Sequence, residues 1–184
     1  MTAGEPQFPL HFGPFTPADY LVIVVLPTLA EFMDVPDNRR RMYLACIATA
    51  HMVDHVARTI NPDGLGKYAV REAIRRQSDH AAACLAVVEG ISTGTKHAGP
   101  DPKQRQQFDY APGQERFMPP LGASAPGGGQ SAAAWLPGFI VDHAGGSRFI
   151  DDCVRGVIRA FAAAYPDLFK GIDLTAADQS RDRF

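Results

Sequence analysis

Between Asn38 and Ile60 an apolar or small residue recurs every three or four positions: Met42, Ala45, Cys46, Thr49, Met52, Val53, Val56 and Ile60. At 3.6 residues per turn these positions stack along one side of a helix, whereas the two-residue alternation of a strand would scatter them over both faces. A lone helix with one apolar stripe is marginal in water, so this stripe demands other elements to cover it. The chain supplies them. A first helix is expected from Thr16, a capping residue followed by Pro17 and Asp19, to about Met33, with a kink at Pro27. The periodicity predicts a second helix from about Asn38 to Thr59. A third region, from about Lys67 to Ile91 with a break near Ser78, presents Val70, Ala73, Ile74, Ala81, Cys84, Leu85 and Val88 inward, and Gly90 and Gly94 are expected to end it. A last helix is predicted from Asp151 and Asp152 to Tyr165, with Cys153, Val157, Ile158 and Phe161 on its inner side.

Between these stripes the sequence changes character. Residues 1–15, with Pro6, Pro9, Gly13 and Pro14, suit an extended arm. Residues 100–137 are rich in Gly, Pro, Gln, Ser and Ala and include Gly127-Gly128-Gly129, which predicts a flexible insert with a short strand at Arg116 to Met118. Phe139 to His143 is a β-branched and aromatic run that Ala144-Gly145-Gly146-Ser147 can turn back onto Arg148-Phe149-Ile150. The fold class is therefore mainly α: one antiparallel helical bundle over residues 16–174, a small β-hairpin before the C-terminal helix, a long Gly/Pro-rich loop, and a tail over 175–184 expected to fray.

At 184 residues one domain with a full core is expected. A formal charge of -2 supplies no global positive field, so RNA or DNA would need a local basic patch. The longest apolar run, Leu21 to Ala30, contains Pro27 and is about half the ~20 residues a membrane span requires. The N-terminal residues lack the pattern of a secretory signal, which predicts a cytoplasmic protein without a membrane partner. Cys46, Cys84 and Cys153 lie within apolar helical patterns and read as reduced core residues.

Three constellations can carry chemistry. His51-Met52-Val53-Asp54-His55 places two imidazoles and a carboxylate at i, i+3 and i+4 on one helix face. The pattern H-x-x-D-H resembles the H-x-x-E-H of inverted zinc peptidases, where two histidines hold zinc and the acid activates water. This implies a metal-dependent hydrolase with His51 and His55 as ligands to zinc or another divalent metal, and a third ligand from His80, His97 or an acidic residue. The same residues read more simply as a half-buried face in which a histidine bonds to Asp54 or to a backbone carbonyl. In the second, Ser92-Thr93-Gly94-Thr95-Lys96-His97, Lys96 can bind a phosphate while His97 moves a proton, or both can complement a helix C-terminus. In the third, Arg75 precedes His80 by five positions, a spacing that suits metal-independent RNA cleavage and also suits a solvated polar face. The second and third helices are expected to bring the histidines and the basic end of the third beside one polar hollow.

Arg41 to His55, the Ser92 to His97 segment and Phe139 to Tyr165, in that order over roughly residues 38–165, resemble bacterial proteins related to the HEPN helical bundles. The resemblance implies a homodimeric, metal-independent ribonuclease of a defence or toxin-antitoxin type, with His97 or His80 transferring protons. Active members carry an Arg four to six residues before the His; before His97 that place holds Ile91 or Ser92, and Arg75 to His80 has the spacing earlier in the helix. A catalytically silent module that binds a nucleotide or a protein partner is the other reading of the same layout.

Overall fold

The computed structural model describes residues 15–61, 66–96, 115–118, 138–143 and 146–178. The expected arm up to residue 14, most of the 100–137 insert, and His97 lie outside the described residues.

Thr16 opens the first limb with a reciprocal cap: its hydroxyl accepts from the Asp19 N–H at 3.1 Å, and the Asp19 carboxylate accepts from the Thr16 N–H at 3.0 Å. Helix α1 (Pro17–Tyr20) passes through a π-helical turn (Leu21–Val25) into α2 (Leu26–Asp34). The irregularity expected at Pro27 thus takes the form of a widened turn just before it, in which the Leu26 N–H reaches back to the Leu21 carbonyl. A proline has no N–H and crowds the carbonyl four residues earlier, and a wider turn relieves both constraints while the chain stays helical. Leu21, Val25, Leu29 and Phe32 then all face the core.

Helix α3 (Arg39–Ile60) starts at Asn38, whose Oδ1 accepts from the Arg41 N–H at 3.1 Å. Its stripe is buried from Met42 to Val56, while Ile60 is 45% exposed because the helix outruns the core. Helix α4 (Lys67–Arg75) ends one turn before Ser78, whose hydroxyl accepts from the Ala81 N–H at 3.0 Å and so starts α5 (Asp79–Lys96). Helix α5 continues through Gly90 and Gly94, where the sequence suggested a stop. Val88, Gly90, Ile91 and Ser92 are all buried, and packing of that order outweighs the ~1 kcal/mol a glycine costs in a helix.

Strands β1 (Arg116–Met118), β2 (Gly138–His143) and β3 (Gly146–Phe149) form one antiparallel sheet in that order. Arg116 lies opposite Ile140 and Val141 opposite Arg148, so the expected hairpin gains a third strand on its β1 side. Helix α6 (Ile150–Ala164) follows directly, packing on α3 and α5. Asp151 and Asp152 lie in its first turn as expected, and both accept from Arg155 Nη2 at 2.6 Å. The chain after Leu174 does not fray at once: Thr175–Asp178 form α7, anchored by buried Ala177, whose carbonyl accepts from Arg159 Nη1 at 2.5 Å. No helix among the described residues is long and apolar enough to cross a membrane.

Candidate functional site

Gly66 sets the site's geometry. A Cβ there would stand 3.2 Å from the Ala57 carbonyl oxygen, so the absence of a side chain lets the start of α4 lie against α3. That approach carries Lys67 to Asp54, with Nζ 2.8 Å from Oδ1. One turn further along α4, Arg71 points the same way and its Nε donates to Glu89 Oε1 of α5 at 2.6 Å. Each of three helices therefore contributes about one turn: Ala50, His51 and Asp54 from α3, Lys67 and Arg71 from α4, and Glu89, Ser92 and Thr93 from α5. Between them lies a polar hollow of about 180 Å³.

The two ion pairs differ in depth. Lys67 and Asp54 are half-exposed at the rim, whereas the Glu89 side chain is only 6% exposed and Arg71 covers it. Ser92 is buried at the base, and its carbonyl accepts from Thr95 Oγ1 at 2.9 Å. Among the described residues of the lining, two carboxylates face two cations. The hollow thus offers fixed positive and negative groups side by side, together with hydroxyl and imidazole groups that can donate or accept.

Of the residues expected around a common hollow, His51 and Asp54 stand on this one, beside the Ser92-Thr93 turn of α5. The remaining expected residues are elsewhere. His55 is not on the lining; its ring stacks on Tyr20 at 3.9 Å between centroids, with Phe15 edge-on at 6.0 Å. Burial against these rings, reinforced by Arg58 and His51 and opposed by Asp54, pushes the His55 imidazole pKa below 6.5. Tyr20 in turn donates to the Ala48 carbonyl at 3.1 Å, which fixes the stack on α3. His51 and His55 therefore serve different surroundings, and among the described residues no group of three His, Cys, Asp or Glu side chains is placed to hold a metal ion. Lys96 ends α5, and His97 follows outside the described residues. Arg75 closes α4 with its Nη1 2.8 Å from Glu72 Oε1, while His80 opens α5 and meets Cys84 and Arg148.

Lys67, Arg71 and Glu89 were not legible as site residues. One signal existed: Glu89 interrupts the apolar run Leu85 to Ile91, and a carboxylate at a core position requires a buried cation. Its partner is 18 residues away on another helix, and spacing does not reveal it.

No protein-family model, no curated protein and no solved structure matches the chain, so what the site can bind rests on its own chemistry.

Proposed function

We propose that the chain is a helical binding module whose hollow between α3, α4 and α5 takes a small zwitterion, of the size and charge pattern of an amino acid. The observation that carries this reading is the charge-balanced lining of a small polar space, two carboxylates and two cations around about 180 Å³. A ligand with its own carboxylate and ammonium group can turn the first toward Lys67 and the second toward Asp54 at the rim, and displace water while Arg71 stays on the buried Glu89. The volume lies below the ~300 Å³ at which pockets for drug-sized molecules begin. His51, Ser92 and Thr93 are positioned to read the remaining polar groups.

The ribonuclease reading implied by the HEPN resemblance draws less support. A phosphate chain competing for Arg71 would strip the cation from Glu89, and a buried carboxylate left alone is costly. The break at Ser78 also puts Arg75 and His80 on different helices with different partners.

Thermal unfolding with a panel of amino acids, inorganic phosphate, adenosine monophosphate, a short RNA and zinc chloride tests the proposal. A fitting amino acid at a hundredfold excess over Kd raises Tm by about 5–10 °C. His51→Ala and Lys67→Ala each abolish that rise. A rise with phosphate or RNA and none with any amino acid, or a rise that survives both substitutions, overturns the zwitterion reading.

A further inference from the structure

All three cysteines are buried and reduced, but their surroundings differ. Cys46 lies on α3, where burial and Glu115 push its thiol pKa well up, and it in turn helps raise that of Cys153. Cys84 of α5 and Cys153 of α6 both lie at the helix crossing: Cys84 Sγ rests against α6 at Gly156, and Cys153 stands one turn earlier on the same face of that helix. The crossing is close because residue 156 is glycine: a Cβ there would stand 3.0 Å from Cys84 Sγ and 3.1 Å from His80 Nε2.

His80 distinguishes the two thiols, because it contacts Cys84. His80 Nδ1 lies 3.4 Å from Arg148 Nη1, and a guanidinium only donates, so Nδ1 accepts and the neutral ring carries its proton on Nε2. Nε2 lies 3.4 Å from Cys84 Sγ, and its N–H donates to that sulfur. Cys84 thus receives a proton donor from His80. Arg148 forms no ion pair among the described residues, which leaves its charge near the sulfur unneutralised. The Cys84 thiol pKa is held below its ordinary value first by the neighbouring Cys153 thiol, with help from Arg148 and Arg159 against burial and Asp152. The Cys153 pKa is pushed up by the neighbouring Cys84 thiol and by burial. His80 is exposed, so the Cys84 sulfur lies one imidazole below solvent, and rotation of an exposed side chain opens that path in nanoseconds or less.

We propose that Cys84 and Cys153 are a hydroperoxide-reactive thiol pair, with Cys84 the attacking sulfur and Cys153 the resolving one. The Cys84 thiolate attacks one oxygen of hydrogen peroxide; the S–O bond forms, the O–O bond breaks, and hydroxide leaves and takes up the proton that Cys84 released. The Cys153 sulfur then attacks the resulting sulfenic acid, an S–S bond joins α5 to α6, and a second water leaves. Two thiols lose two electrons to one peroxide.

Incubating the folded full chain with hydrogen peroxide, alkylating the remaining thiols and mapping peptides by mass spectrometry tests this. A peptide linking Cys84 to Cys153 is expected, with Cys84 consumed at least roughly tenfold faster than Cys46. Cys46 is the internal control: both residues are 0% exposed, so oxidation through unfolding would consume them alike. Cys153→Ala should stop the reaction at a sulfenic acid on Cys84 that dimedone traps, and His80→Gln should slow Cys84 oxidation several-fold. Absence of the linked peptide once Cys84 has been consumed, or equal rates at Cys84 and Cys46, overturns the proposal even if neither variant folds.

Discussion

Glu89 is 5% exposed in the middle of an apolar run, so its charge depends on the single guanidinium of Arg71. Arg71→Met keeps the aliphatic cover and removes the partner; it should cost about 2–3 kcal/mol in urea unfolding, at or below the low end for a buried pair because Arg71 is itself 36% exposed. Adding Glu89→Gln should restore part of that loss, since an amide needs no counter-charge. His55 makes a different kind of prediction. Its pKa is 6.5 in the unfolded chain and lower in the fold, so below pH 6.5 the unfolded state binds more protons and folding loses stability as pH falls, until the folded pKa is passed. His55→Phe keeps a ring on Tyr20 and removes the titration, so denaturation midpoints between pH 7 and 5 should fall less for the variant than for the native chain. An unchanged slope would show that the imidazole does not titrate against the stack. His51 and Asp54 could be picked out from the sequence because their spacing puts them on one turn, but the Tyr20 stack that takes His55 away joins residues 35 positions apart and leaves no local pattern.

Helix α3 begins with Arg39, Arg40 and Arg41 at its positive end, an unfavourable start for which the Asn38 cap compensates. Arg39 and Arg41 have other roles: Arg39 lies 3.8 Å from the buried carboxylate of Glu115 and over the Phe139 ring, and Arg41 Nη1 donates to the Glu31 carbonyl at 2.8 Å. Asn38→Ala should therefore cost about 1 kcal/mol, and exposed Arg40→Glu should return a few tenths, both read from thermal unfolding. The Arg39 contact also ties the sheet to the bundle, because Glu115 accepts a hydrogen bond from Tyr43 as well, which helps push the tyrosine pKa up to about 12. Helix starts were readable at this scale, since Thr16, Asn38 and Ser78 act within three residues of themselves. The far end of α5 was not, because two glycines argue locally for a stop and only burial of their neighbours argues against it.

The bundle closes where α5 and α6 cross, and Gly156 sets how closely. Gly156→Ala gains up to ~1 kcal/mol of helix propensity but drives a methyl against Cys84 Sγ and His80 Nε2, so a net loss of about 1 kcal/mol is expected in thermal unfolding. A stabilised variant would mean that the crossing yields more easily than its contacts suggest. The same crossing separates the two levels at which this chain is specified. Three-and-four periodicity, capping residues and turn dipeptides act over a few residues, and they alone determined that the protein is mainly helical, where α1, α3, α4 and α6 begin, and that a hairpin precedes α6. Only tertiary structure decided which side chains meet: that Arg71 reaches Glu89, that His55 leaves His51 for Tyr20, and that Cys84 and Cys153 lie at one helix crossing. Those meetings depend on helix crossings set by core volume and by glycines at the contacts, and volume is a property of the packed whole that no local window of sequence contains.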